Sequence, residues 1–477
     1  MTAAVQGLGI SREDWEATPE SVRRVVVALV ERIEKLEKEV ADLKEKLGAN
    51  SRNSSLPPSA DRQRPMTRAE RRRSQRKRGG QHGHEGHRRE LVPETEVDEL
   101  IECPPLQQCQ DCGGSVYVDD SCAPERHQVW ELPEVSARVT EYRRKWGQCI
   151  DCGSYFCGDL PLEAAQGMLG PRAMAAVAVL SGKYHLSKRA IAEAMQDLFG
   201  LEMADGTVCN TEARVSAAIE PAVGEAACHV REQAVVHADE TGWRLEKKRA
   251  WLWTVLTAAV TVFAVRASRS AAVARELLGK EFRGILVSDR YSAYGWLTAS
   301  RRQACWAHLI RDFRRIEERG GRSAEIGYTL LFWAAEMFAL WKAFRTGQID
   351  RNALRRKMKP VSAMILETLE LGAASAYPKT SATCQEILKL APALWTFVAV
   401  DGVEPTNNAA ERAIRPAVLW RKSSFGTDSE TGARFVERVL TVTATCRQQG
   451  RNVLEFLRQT IVAHLAHRPL PSLLPAA

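Results

Sequence analysis

The sequence predicts a multidomain α+β protein. Three observations carry that expectation. An unbroken apolar heptad runs over 22–47, two Cys-x-x-Cys-Gly motifs begin at Cys109 and Cys149, and short β-branched runs over 235–289 give way to a long helical stretch. At 477 residues the chain is longer than one hydrophobic core supports, so several domains are expected.

Residues 1–48 hold the heptad. Val26, Ile33, Val40 and Leu47 occupy position a, and Val22, Leu29, Leu36 and Leu43 occupy d, with Glu, Lys, Arg and Asp filling most of the rest. β-Branched residues at a with Leu at d favour a parallel two-stranded coiled coil, and a homodimer or higher assembly built on it is expected. Residues 49–92 read as a basic linker. Over 62–89 there are eleven Lys and Arg against two Glu, a local excess of nine positive charges in a chain of net charge +8. So dense a tract suits a phosphate backbone, where released counterions drive association. Arg71, Arg72, Arg73, Arg76, Lys77 and Arg78 form its centre.

Residues 93–162 contain Cys109-Gln-Asp-Cys112-Gly and Cys149-Ile-Asp-Cys152-Gly. Each is a knuckle that turns backbone N–H groups toward thiolate sulfur, and two knuckles make one structural four-cysteine zinc site. Strand-like runs at 116–118, 127–132 and 137–146 lie between or beside them. The first fifteen residues carry Glu13 and Asp14 and no apolar leader, and no run approaches membrane-spanning length. A cytoplasmic protein with no membrane partner is therefore expected, its cysteines thiols or zinc ligands rather than disulfides. Residues 163–230 are helical and Ala-rich. A turn near Gly200, with Asp205 as cap of the next helix, gives a helix-turn-helix pattern with Thr207, Asn210 and Arg214 available to a DNA groove.

Residues 231–450 read as a catalytic domain. Strand-like runs at 235–239, 251–256, 261–266 and 285–289, with a helix at 271–278, describe the opening of a ribonuclease-H-like fold. A fifth strand is expected at 303–308, a helical insert at about 310–400, and a C-terminal helical tail at 451–477. Asp239 and Asp289 each close an apolar run and are expected at strand ends. Glu411 falls at the start of a helix with Thr406 or Asn407 as cap. Carboxylates at the ends of neighbouring strands, joined by one from a helix, can hold two Mg²⁺ ions, or Mn²⁺ in their place, which clamp the attacking and leaving oxygens of a phosphodiester. Arg415, one helical turn from Glu411, and Arg421 and Lys422 beyond it are candidate phosphate contacts. Cys305-Trp-Ala-His308 offers two metal-capable groups, too few for a zinc site.

The stretches NSSLPPS, RKRGGQHGHEGH, LFGLEMADGTV, HADETGW, VSDRYSAYG, CWAHLIRDF and NNAAERAIRPAVLWRKSSFG, with the heptad and the two knuckles, span nearly the whole chain in order. In them the sequence resembles the large transposase of the insertion sequence 66 family of bacterial mobile elements. The resemblance implies a ribonuclease-H-like domain with a DDE triad falling on Asp239, Asp289 and Glu411, and a zinc finger on Cys109, Cys112, Cys149 and Cys152. It further implies binding of double-stranded DNA at terminal inverted repeats, cleavage there, joining of the 3′-hydroxyl to target DNA, and cooperation with small accessory proteins of the same element. Two other classes fit the residues. One is a metal-dependent nuclease or resolvase on the same fold, which would give no joined products. The other is a non-catalytic zinc and coiled-coil DNA-binding regulator, which would be indifferent to the loss of Asp239.

Overall fold

The computed structural model describes residues 11–50, 52–54, 89–119, 121–161, 164 and 167–475. The expected phosphate contacts Arg71, Arg72, Arg73, Arg76, Lys77 and Arg78 lie outside the described residues. The chain divides into two compact units, one formed by 1–62 with 137–477 and the other by 63–136.

In the smaller unit the first knuckle is a tight turn. Cys109 N donates to Gly114 O at 2.8 Å and Gly113 N to Cys109 O at 2.9 Å, with Gly113 at φ +73°. The expected strands at 116–118 and 127–132 enter no named strand, and Val129 and Leu132 are more than four-fifths exposed. β-Branched residues favour an extended backbone, but a ladder also needs a partner edge and a face to bury, and these runs have neither.

The larger unit begins with α1 (Arg12–Ala17) and α2 (Glu20–Gly48), which carries the whole heptad on one 29-residue helix. Its d residues and Ile33, Val40 and Leu47 are exposed. The hairpin of β1 (Trp146–Gln148) and β2 (Tyr155–Cys157) holds the second knuckle, whose bonds repeat those of the first: Cys149 N to Ser154 O at 2.8 Å, Gly153 N to Cys149 O at 2.9 Å, and Gly153 at φ +74°. Of the expected 137–146 strand only its last residue is in β1. Helices α3 (Pro171–Gly182), α4 (Lys188–Phe199) and α5 (Asp205–Glu232) follow. Ser187 caps α4 and Gly200 ends it in the left-handed region at φ +62°. Ala204, not Asp205, is the N-cap of α5; Asp205 opens the helix, where its charge meets the positive end of the dipole.

A five-stranded mixed sheet forms the centre. β3 (Val235–Leu245), β4 (Lys248–Leu256) and β5 (Thr261–Arg266) are an antiparallel meander. After α6 (Ala271–Leu278) come β6 (Ile285–Ser288), parallel to β3, and β7 (Arg302–Ala304), parallel to β6, giving the order β5-β4-β3-β6-β7. Two expectations change. β3 continues well past residue 239, so Asp239 lies inside a strand, opposite Thr254 of β4. The polar run Asp-Glu-Thr-Gly hides this continuation, which the hairpin with β4 enforces. The fifth strand ends at Ala304, and Cys305 is already the N-cap of α7 (Trp306–Glu317).

With α7, helices α8 (Gly321–Arg345), α9 (Arg351–Ala373), α10 (Pro378–Leu388) and α11 (Thr396–Ala399) form the helical insert around Trp306, Phe313, Leu330, Met337 and Leu369. Close packing shows at Gly327, where a Cβ would stand 2.3 Å from Glu317 N. The end of α2 docks here: Lys379 pairs with Asp42 at 2.6 Å and with Glu45, Arg319 pairs with Glu45 at 3.1 Å, and Arg315 Nε donates to Asn53 O at 2.9 Å. The chain then returns to the sheet through α12 (Asn408–Ser424), α13 (Glu430–Gln448) and α14 (Val453–Leu465). Helix α13 closes the β5 edge with side chains. Thr445 Oγ1 accepts from Thr261 N at 3.1 Å, Thr441 Oγ1 from Phe263 N at 3.0 Å, and Glu437 Oε1 from Val265 N. Alternate strand residues are about 6.8 Å apart and helix residues four apart about 6 Å, so the two rows stay in step. No described helix is long and apolar enough to cross a membrane.

Candidate active site

The topology brings three carboxylates to one end of the sheet. β3 and β6 run parallel with His237 opposite Val287. Asp239 and Asp289 each lie two residues beyond that pair, where β6 has ended and β3 runs on beside β4. Open α/β sheets bind ligands in that position. Asp239 Oδ1 accepts from Glu240 N and Asp289 Oδ1 from Tyr291 N, both at 2.9 Å, which fixes each carboxylate locally. Glu411 comes from the first turn of α12. All three line one cleft of about 770 Å³.

Asn407 sets where α12 begins. It is the N-cap residue, yet its side chain makes no capping bond. Instead Nδ2 donates to Ala238 O at 2.7 Å, Oδ1 lies 3.1 Å from His237 Nδ1, and its backbone N–H donates to Cys305 Sγ at 3.2 Å. Trp306 N donates to Pro405 O at 2.9 Å. The turn that carries Glu411 is thus tied both to the residue before Asp239 and to the start of α7.

Burial, with the charges of Glu240, Asp289 and Glu411, holds the Asp239 carboxyl well above the usual range, against a backbone bond from Glu240 that lowers it. Burial and Asp289 also push Glu240 up, while Tyr294 and Arg269 oppose. Tyr294 Oη donates to Glu240 Oε2 at 2.5 Å and Arg269 Nε to Oε1 at 2.6 Å. Arg269 in turn lies 3.6 Å over the Tyr291 ring. Four acidic groups crowd this end of the sheet, and Arg269 is ion-paired with Glu240 among them. On the other wall, His308 Nδ1 stands 3.7 Å from Glu411 Oε1. Burial pushes the Cys305 thiol up, against backbone N–H groups of Asn407, His308 and Ala307.

Of the cations read from sequence, Arg421 lines the cleft, but its Nη1 donates to Thr241 Oγ1 at 3.1 Å and to Gly242 O, bracing α12 on β3. Arg415 and Lys422 are exposed on α12 and are not among the cleft-lining residues. The rim is instead supplied by Arg290, Arg311 and Arg315, with Arg290 paired to Asp312. These were missed because they sit on α7 and after β6, far in sequence from Glu411. The CWAHLIRDFRR spacing, which repeats cations along one helix, was the available signal. Trp243 is 2 % exposed and belongs to the core. Among the knuckle cysteines, the Ser154 hydroxyl and backbone, with Cys149, bring Cys152 down to about 7, and backbone N–H groups of Asp111 and Cys112 lower Cys109.

Asp239, Asp289 and Glu411 thus share one cleft with Arg269, Arg290, Arg311, Arg315 and Arg421. A family profile described as "Transposase IS66 family" matches residues 166–435, and the chain belongs to that family of transposases. Residues 10–90 match a second profile, described as a family of unknown function (DUF6444). Two proteins of Sinorhizobium fredii are similar. The uncharacterized protein y4qI is 31 % identical over 264 residues, 49 % of this chain and 48 % of its own length. The uncharacterized protein y4hP is 23 % identical over 418 residues, 80 % of this chain and 74 % of its own. The aligned part of this chain thus spans about half the length of y4qI.

Proposed function

We propose that the chain is a metal-dependent DDE transposase that binds terminal inverted repeats, cleaves the ends of its element by hydrolysis and joins the 3′-hydroxyl to target DNA. The observation that carries the reading is the convergence of Asp239, Asp289 and Glu411 from β3, the end of β6 and α12 on one cleft. The strand order, with a helical insert before the third carboxylate, supports a ribonuclease-H-like catalytic domain over 231–450.

The donor set fits hard divalent cations. It is all carboxylate oxygen, and burial and crowding raise the Asp239 carboxyl, a shift that an added positive charge would oppose. Asp239, Asp289 and Glu411 would hold the ions. Two Mg²⁺, or Mn²⁺ in their place, supply stabilisation of charge on the attacking and leaving oxygens of the phosphodiester. Arg290, Arg311 and Arg315 bind phosphates of the strand and orient it, and Arg421 holds the cleft wall in place. Water is the nucleophile at the element's end and the freed 3′-hydroxyl the nucleophile at the target. No side chain becomes covalently linked to DNA.

The other modules serve binding. Each knuckle has a turn geometry and a lowered thiol that suit thiolate ligation of zinc, and one structural Zn²⁺ on Cys109, Cys112, Cys149 and Cys152 is proposed from their sequence pattern alone. The exposed apolar stripe of α2 suits a parallel homodimer, and α4–Gly200–α5 suits a DNA groove. The basic linker adds sequence-independent affinity, and accessory proteins of the same element complete the assembly.

The test uses purified full-length protein, Mg²⁺ or Mn²⁺ and DNA carrying the ends of the element. Cleaved ends and joined products are expected, and both should vanish in Asp289→Ala while end binding persists. Cleavage without joining in any divalent cation would make the protein a nuclease instead.

A further inference from the structure

Cys305, His308 and Glu411 are the one group of three metal-capable residues, among those described, whose ligand atoms all lie within 4.8 Å of one another. The sequence motif supplies only two of them. Folding supplies the third, because Asn407 ties the start of α12 to the start of α7. One turn of α7 carries both the N-cap Cys305 and His308, so sulfur and imidazole face α12 from adjacent levels of one helix.

The neighbouring atoms are in a state that asks for a ligand. His308 Nδ1 and Glu411 Oε1 are both shielded from solvent and neither has a hydrogen-bond partner. They stand 3.7 Å apart, too far to satisfy each other. A tetrahedral ion with bonds of about 2.0–2.3 Å sets its ligand atoms roughly 3.3–3.8 Å apart. The His–Glu separation already matches, and the sulfur lies within 4.8 Å of both partners' ligand atoms. Cys305 Sγ accepts the backbone N–H of Asn407 at 3.2 Å, the kind of outer hydrogen bond that orients a metal-bound thiolate.

We propose that Cys305, His308 and Glu411 form a site for a zinc-class cation, distinct in chemistry from the all-oxygen cluster beside it. Sulfur and imidazole select Zn²⁺ over Mg²⁺. The three protein ligands leave one tetrahedral position for water or a phosphate oxygen. Binding deprotonates the Cys305 thiol to bulk solvent. Glu411 belongs to both sites, so an ion held here withdraws the third carboxylate from the Mg²⁺ cluster. Zinc-class cations then act as antagonists of the cleavage proposed above. That consequence rests on the proposed function; the site itself does not.

The experiment measures zinc directly. Full-length wild type, Cys305→Ser and His308→Ala are saturated with Zn²⁺, freed of excess by gel filtration and analysed for metal content. Each variant should hold about one zinc fewer per chain than wild type, whatever the knuckles hold. With Co²⁺ in place of Zn²⁺, Cys305→Ser should also lose part of the sulfur-to-cobalt charge-transfer absorption. His308 is on the cleft wall and partly exposed, so His308→Ala gives the answer even where the buried cysteine variant fails to fold. Equal zinc content in wild type and a folded His308→Ala protein overturns the site. Because no DNA or cleavage is involved, that result leaves the transposase reading intact.

Discussion

Asp239 is under strain of charge, and its removal reads out in two opposite directions. Asp239→Asn should lower cleavage by about 10²-fold or more, because the group it removes helps stabilise charge that develops in the transition state. The same change should stabilise the metal-free protein by about 1–2 kcal/mol, the usual trade between activity and stability. The pH dependence follows from the raised carboxyl. Well below pH 4 both folded and unfolded chains hold the proton, and wild type and variant should be equally stable. As pH rises, the unfolded chain loses its proton first, so wild-type stability falls relative to Asp239→Asn until the folded carboxyl also ionises. Mg²⁺ or Mn²⁺ should close the gap at neutral pH. Urea unfolding at about pH 3 and pH 7, with and without the cation, checks all three statements; a full gap already present at about pH 3 would contradict them. Asn407→Ala should cost about 2–3 kcal/mol, since it strands the buried Ala238 carbonyl and His237 imidazole together. The aspartates were legible in the sequence because each closes an apolar run. Glu240 was not, for its partners Arg269 and Tyr294 stand on segments that only the sheet brings near.

At the level of elements, α13 shows how a polar stripe can be structural. Glu437, Thr441 and Thr445 are buried on one face of the helix, each holding a backbone N–H of β5. An exposed strand edge invites pairing with other chains, and covering it removes that liability. Thr441→Val keeps the volume and removes the acceptor from Phe263 N, so it should cost about 1–3 kcal/mol and leave the Thr441→Ser protein near wild type. Equal midpoints for Val and Ser in thermal unfolding would remove the hydrogen bond from the account. The β3–β4–β5 meander, α6 and the heptad helix were readable because each keeps one period of apolar residues. The length of β3 was not, since its middle is polar for the sake of the site. The runs at 116–118 and 127–132 misled for the converse reason: side chains that suit a strand do not supply a neighbour. Deleting residues 1–48 should give a monomer in light scattering. The deletion also removes the Asp42 and Glu45 contacts to Lys379 and Arg319, so a small loss of stability in the insert should accompany it. A dimer that survives would place self-association elsewhere.

For the molecule as a whole, affinity and chemistry should separate. Replacing the six cations at 71–73 and 76–78 by glutamine should weaken binding to every DNA sequence alike and flatten the dependence on salt. Salt-titrated binding of element-end and unrelated duplexes checks this, and a loss confined to the element ends would assign those residues to base reading. Cys112→Ser with Cys152→Ser should release the knuckle zinc and loosen its surroundings while sparing the carboxylate cluster, which lies on other elements. The last consequence comes from the order in which the parts are made. Asp239 and Asp289 meet as soon as β6 has paired with β3, but Glu411 follows the whole helical insert, and the helix that closes β5 comes later still. Long-range contacts of this kind form late, both in folding and on the ribosome. A nascent or prematurely terminated chain therefore carries the knuckles and the helical region 163–230 before it carries a complete set of carboxylates. On the proposed function, the residues from Glu411 onward would decide whether the product can cut, so an interrupted copy would compete for DNA rather than break it.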